Sequence, residues 1–345
     1  MMPAILRILT AGVLAGVLIE SGAAAKIAET IVEKIGESRA LIALAIATMV
    51  LTMVGVFVDV SVITVSPIAL AIAHKSGLSK PAILLAMVGG GKAGNIMSPN
   101  PNTIAAADNL GVSLTNVMIA GIVPAIFGVI ITCILASRIK QKGSLVESDE
   151  HMKELTDMPG FLPAMVGPLV AIILLMLRPI AGIAIDPLIA LPVGGICGIL
   201  AMGKIKHINK YATYGLAKMS GVAILLIGTG TLAGIIANSG LKDVIISGIN
   251  ALGLPSFMLA PVSGILMSAA TASTTSGTAV ATSVFGPTIV QLGVAPLATA
   301  AMIHAGATVL DHLPHGSFFH ATGGSVSMDM KERLKLIPYE SLVGL

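Results

Sequence analysis

Long apolar runs, punctuated by short polar knots, dominate the chain. Asp, Glu, Lys and Arg are absent across residues 40–58, 109–137, 158–177 and 219–241, and each run approaches or exceeds the roughly 20 residues an α-helix needs to cross a bilayer's hydrocarbon. Across residues 244–310 there is again none, a length for two or three crossings. No soluble core of this size needs so long an uncharged stretch. Residues 1–19 lack the basic region and small-residue cleavage site of a secretory signal and read as a span of the mature chain. The pattern predicts an all-α, polytopic integral membrane protein.

Composition and charge sharpen that picture. Hydrophobic residues make up 55% and charged residues 11%, against roughly 25% charged in a soluble domain. The net charge of +3 sits in short loops, so it reads as membrane topology and implies no nucleic-acid partner. Lys204, Lys206, Lys210 and Lys218 form the most basic connection, and Arg138, Lys140 and Lys142 another; the positive-inside bias places both in the cytoplasm. Two apolar stretches, 161–177 and 180–202, lie between them, and an even number of crossings returns the chain to the same side. Cys133 and Cys197 lie in apolar stretches and behave as small hydrophobes, with no metal spacing.

The chain echoes itself. Gly12-Val-Leu-Ala-Gly16 followed by Ser21-Gly22 matches Gly230-Thr-Leu-Ala-Gly234 followed by Ser239-Gly240, in the same spacing. Ser76-Gly77-Leu78 before an Ala/Gly-rich run echoes Leu292-Gly293-Val294 before another. The expected division is a first membrane repeat at 1–140, a cytoplasmic linker at 141–157, a connecting hairpin and basic loop at 158–218, and a second repeat at 219–345. An odd number of crossings per repeat would invert one against the other, an arrangement that puts the site of many secondary carriers at the repeat interface.

Irregular backbone survives at membrane depth only where it is buried or lines a polar cavity, so breaks in the helices mark candidate sites. The tract from Gly89 to Thr103, with Pro99 and Pro101 after a run of glycines, is expected to be non-helical and to form a re-entrant hairpin tip. Asn95, Ser98, Asn100, Asn102 and Thr103 would bind substrate there, Lys92 would meet an anionic group, and freed helix N-termini would add positive potential. A water-exposed loop is the plainer reading of the same residues. The second break spans Ala270 to Thr278, where Ser273, Thr274, Thr275, Ser276 and Thr278 offer neutral hydroxyls; hydroxyls that only glue helices are the alternative. The third spans Asp311-His-Leu-Pro-His-Gly-Ser317, preceded by His304. Ionisable residues at membrane depth commonly serve proton or ion pathways, and histidine titrates near neutral pH. Asp311 and His312, with His315 beside them, are therefore the expected proton-coupling groups, and Asp59 is their counterpart in the first half. Any of these could instead lie at the interface and reach water.

These segments resemble the gluconate permease family, part of a larger group of ion-coupled carriers. The resemblance covers nearly the whole chain: Glu20-Ser-Gly22, Phe57-Val-Asp-Val60, the Pro/Asn hairpin, the serine-threonine break and Asp311 to Phe319. It implies proton-driven import of a sugar acid such as gluconate, or a related organic acid or D-serine, across the bacterial inner membrane. Differences from the family pattern fall at informative places. Asp59 stands for a glutamate, Ser98-Pro-Asn-Pro-Asn-Thr103 lacks the family hairpin's histidine, and His312-Leu-Pro-His-Gly-Ser-Phe318 has His315 in place of an acid. Family members usually carry further spans beyond the points matching Met1 and Leu345, so a shortened form or fragment is expected.

The function this implies is secondary active transport of a small organic anion by proton symport, without enzymatic chemistry, cofactor or resident metal. The lipid bilayer, the anion and a proton are the expected partners, with a homodimer favoured only by the resemblance. Sodium coupling is the nearest alternative, since hydroxyls and unwound carbonyls also suit that ion. A passive channel is another. An intramembrane metalloenzyme using His304, Asp311, His312, His315 and His320 matches no standard zinc spacing.

Overall fold

The computed structural model describes residues 2–146, 158–240 and 255–345, together with 243–244, 247–248, 251 and 253. Among the described residues the architecture is all-helical, with one isolated bridge between Ser79 and Leu145. The first half runs α1 (Met2–Glu20), α2 (Ala23–Ile35), α3 (Ala40–Met53), α4 (Val58–Ser76), α5 (Lys80–Asn95), α6 (Pro101–Leu110), α7 (Leu114–Ala120) and α8 (Ile122–Arg138). The paired helices α9 (Phe161–Ala181) and α10 (Pro187–Ala201) follow, then α11 (Ile208–Ala237), α12 (Leu259–Thr271), α13 (Thr274–Val284), α14 (Gly286–Gln291), α15 (Pro296–Gly306), α16 (Ser317–Ser325) and α17 (Met330–Gly344).

Among the described residues three stretches are long and apolar enough to cross a membrane: α4, the α7–α8 run over Leu114–Arg138, and α9. The pair Ile5–Glu20 and Ala23–Ile35 qualifies together but bends by 61°, where Gly22 takes a left-handed conformation at φ 78°. Large apolar side chains on the outer helices face outward, among them Val123, Ile126, Phe127 and Ile130 on α8 and Leu162, Leu169 and Ile173 on α9. A face this apolar suits lipid, because hydrocarbon imposes no cost on exposed aliphatic groups.

The helices differ from expectation at the first break. Gly89, Gly90, Gly91 and Gly94 do not unwind the chain; α5 runs through all of them to Asn95. Their role is close approach. A Cβ on Gly90 would lie 2.0 Å from the Ala45 carbonyl oxygen and one on Gly94 would lie 2.1 Å from that of Met49, so α3 packs backbone to backbone against α5. In a membrane, where helix association rests on van der Waals contact, small residues gain more from such contact than their low helix propensity costs. The break itself is confined to residues 96–100. Asn100 caps α6 by accepting from the backbone amides of Asn102 (2.9 Å) and Thr103 (3.1 Å), and Pro101 takes the first helical position, where no amide hydrogen is needed.

Paired sequence motifs fall at matching turns. Ser21-Gly22 follows α1 as Asn238-Ser239-Gly240 follows α11. Gly77 closes α4 at φ 62° and Gly293 follows α14 at φ 93°, each just before a Pro-containing helix start. Most of the expected linker, 147–157, lies outside the described residues, as does much of 241–254. The expected hairpin at 158–218 contains α9 and α10, which pack against each other and against α1.

Candidate functional site

Four interruptions of helix converge on one cleft of about 230 Å³. Phe57, Val58 and Asp59 reach it from the start of α4; Asn95, Asn100, Pro101 and Asn102 from the α5–α6 tip. Ala272, Ser273, Thr274 and Thr275 reach it from the α12–α13 tip, and Asp311, Ser317 and Phe318 from the segment joining α15 to α16, with Val222 on α11. Residues far apart in sequence meet here because each comes from a helix end at the same depth. The size suits a small solute, since drug-sized ligands occupy roughly 300 Å³ or more.

The N-termini of α4, α6, α13 and α16 border the cleft, and those of α6 and α13 carry side-chain caps. Ser273 caps α13, its hydroxyl accepting from the Ser276 amide at 3.3 Å, and Asn100 caps α6. The hydroxyl of Thr275 donates to the side-chain oxygen of Asn102, joining the two tips directly. Asn109 on α6 adds a second link, donating to Thr282 Oγ1 at 2.9 Å and to the Ala279 carbonyl at 3.2 Å on α13. The macrodipoles of α6 and α13 put partial positive charge at the cleft, a favourable environment for an anion. The turn between α12 and α13 is tight: Ala272 holds a left-handed conformation at φ 44°, which costs an alanine roughly 1–2 kcal/mol.

Behind the cleft lies a buried charged network. Asp311, 6% exposed, accepts from the Thr274 hydroxyl at 2.6 Å on one oxygen and pairs with Lys92 Nζ at 2.7 Å on the other. Lys92 also donates to the Thr308 carbonyl at 2.7 Å and sits 2.8 Å from His312 Nδ1. An ammonium has three hydrogens and no acceptor, so Lys92 can donate to all three partners with Nδ1 as an acceptor; Asp311 Oδ1 also lies 3.2 Å from the same Nδ1. The proton of a neutral His312 then sits on Nε2, which faces the Ile337 carbonyl at 3.1 Å and Ser341 Oγ at 3.3 Å. Glu340 Oε2 lies 4.0 Å from His312 Nδ1. Arg333 clasps Glu340 with both terminal nitrogens, one at 3.1 Å.

The structure thus gathers most of the sequence-derived candidates and redistributes their roles. Asn95, Asn100, Asn102, Ser273, Thr274 and Thr275 line the cleft, as do Asp59 and Asp311. Lys92 does not line it; its ammonium is occupied by Asp311, Thr308 and His312, so it is not presented as the direct carboxylate partner that the sequence suggests. Ser98, Thr103, Ser276 and Thr278 are buried outside the lining. Among the described residues the hydroxyls of Ser98 and Thr278 have no hydrogen-bond partner, and Thr103 Oγ1 donates to the Asn100 side chain at 3.2 Å. His315 is exposed, away from the buried pair.

Arg333, Glu340 and Ser341 escaped the sequence reading. Their signal was the spacing of seven between Arg333 and Glu340, two helical turns that place opposite charges on one face. A second charged cluster ties the helical frame to α6: Arg7 on α1 pairs with Asp108 on α6 and with Asp186 at 2.6 Å, the cap of α10. Among the described residues no group of three or more His, Cys, Asp and Glu could hold a metal ion.

Comparison with known proteins bears on the family and the fold. The family model described as GntP family permease matches residues 2–343. A protein of Haemophilus influenzae described as an uncharacterized transporter is 68% identical over 343 residues, 99% of this chain and 82% of that protein. A gluconate permease of Bacillus licheniformis is 24% identical over 348 residues, 89% of this chain and 76% of that protein. The crystal structure of the Alcanivorax borkumensis YdaH transporter, described as having an unusual topology, superposes with a TM-score of 0.65 at 17% identity, covering 98% of this chain and 84% of that one. A family match across nearly the whole length, with a transporter fold and lipid-facing helices around a polar cleft, places this chain in the GntP permease family as a multi-pass membrane transporter and not an enzyme.

Proposed function

We propose that the chain imports a small organic acid, gluconate in the first instance, across the bacterial inner membrane by proton symport through this cleft. The observation that carries the proposal is the pairing of two features in one wall. The tips of α5–α6 and α12–α13 offer amides, hydroxyls and helix N-termini suited to a hydroxylated anion, and Asp311 lies beside them within hydrogen-bond reach of Thr274. The gluconate permease named above supports the substrate class, through 24% identity.

In this reading the substrate carboxylate faces the α6 and α13 N-termini, while Asn100, Asn102, Ser273 and Thr275 meet its hydroxyls. Asp311 takes up the proton, with Lys92 and His312 holding its orientation, and Asp59 supplies a second acid on the opposite wall. One proton per monoanion moves no net charge, so the pH difference drives uptake, at about 1.4 kcal/mol per pH unit. The repeats at 1–140 and 219–345 would alternate access by moving against each other around the cleft, with the 141–157 linker and the basic loop in the cytoplasm. Uptake of labelled gluconate into proteoliposomes tests the reading. Accumulation under an inward proton gradient, abolished when the gradient is collapsed and in Asp311→Asn, is the expected result. Accumulation that follows an imposed sodium gradient at constant pH would replace the proton with sodium.

A further inference from the structure

Glu340 is fully buried, yet it lies on α17, a helix that also carries exposed Lys331 and Lys335 and half-buried Glu332. It does not line the cleft. Its surroundings account for every nearby charge: Lys92 from α5, Asp311 and His312 from the α15–α16 segment, and Arg333 from its own helix. Asp59 of α4 faces the cleft beyond Asp311. Of the other packed elements, α16 carries His320, exposed and bonded to the Pro314 carbonyl at 2.8 Å, and α8 has Arg138 at its end as its single charged residue.

The charges in this network balance. Lys92 and Arg333 are positive, Asp311 and Glu340 negative, and His312 is neutral in the tautomer its partners require. Burial penalises any net charge, so the resting centre is poised at zero. A proton taken from water in the cleft forms an O–H bond on Asp311 and makes the centre positive by one; a bound monocarboxylate restores balance. No other bond changes, and the proton returns to water on the far side. Without the charge of Glu340 the centre would be positive before any proton arrived.

Building on the proton-coupled reading of the cleft, we propose that Glu340 is a positioning residue that sets the resting charge of the Lys92–Asp311–His312 centre to zero, so that an organic anion binds only together with a proton. Counterflow of labelled gluconate in proteoliposomes, at equal pH on both sides and over a series of pH values, reads this directly. In the unaltered protein, KM should fall about tenfold for each pH unit of acidification, one proton per anion. In Glu340→Gln the slope should flatten to less than about twofold per unit, with counterflow kept and gradient-driven accumulation lost. Arg333→Gln changes the charge in the opposite sense and should raise KM at every pH while keeping the one-proton slope, and the neutral double variant Arg333→Gln/Glu340→Gln should restore the unaltered KM and slope. A folded Glu340→Gln with the unaltered slope overturns the inference alone. A flat slope in the unaltered protein overturns the proton-coupled reading as well. If both single variants fail to fold while the double variant folds with the unaltered slope, the pair is purely structural and the inference falls.

Discussion

Thr274 and Gly316 are the residues where single atoms carry the most of this account. The Thr274 hydroxyl is a direct donor to Asp311, and removing one partner of a buried charged hydrogen bond costs about 1–3 kcal/mol. Thr274→Val should therefore raise KM for gluconate counterflow at least about fivefold, since 1.4 kcal/mol is a factor of ten, whereas Thr274→Ser should remain close to the original. Equal KM values in both variants would remove Thr274 from the site. Gly316 packs against the strained Ala272: a Cβ there would lie 2.6 Å from Ala272 Cβ. Gly316→Ala should destabilise the detergent-solubilised protein by about 1–3 kcal/mol, the cost of overpacking, read as a lower melting temperature. Gly324, whose Cβ would meet nothing within 4 Å, provides the control and should tolerate alanine.

At the scale of elements, α6 acts as the hub. One end opens onto the cleft, and the other is bound through Asp108 to Arg7, which also holds Asp186 ahead of α10. Hydrogen bonding to Arg7 holds the Asp186 carboxyl below its ordinary range. A carboxylate whose folded-state value is depressed adds stability that is complete above its unfolded value, about pH 4, and vanishes as the pH falls through the folded value. Asp186→Asn should therefore lower the melting temperature at pH 6 and make little difference at pH 3. Because Asp186 is partly exposed and screened, the effect should stay below about 1 kcal/mol. A melting-temperature difference that is the same at both pH values would contradict the assignment. The α3–α5 contact gives a second prediction: Gly94→Ala drives a methyl group into the Met49 carbonyl and should cost at least about 1–3 kcal/mol, seen as reduced yield of folded protein.

Across the whole molecule, the apolar runs disclosed the helical membrane architecture, because the bilayer restricts a chain to few solutions. Three of the four breaks could also be found, through Pro99 and Pro101, the hydroxyl cluster at Ser273 and the acid-histidine pair at Asp311. What the residues alone did not disclose was which glycines bend the chain and which let helices touch. Gly22 does the first and Gly94 the second, and only the neighbouring helix distinguishes them. Lys92 looked free because its partner, Asp311, lies 219 positions later in the chain. Arg333 and Glu340 share a helical face by their spacing of seven, but only the packing of α17 shows that this face is turned inward.

The most direct test of proton-coupled anion transport is to load proteoliposomes with a trapped pH indicator, impose no gradient, and add gluconate outside. If each anion enters with a proton taken up at Asp311, the interior acidifies as gluconate is added, and Asp311→Asn shows no acidification. Entry of labelled gluconate with no change of interior pH would contradict the account.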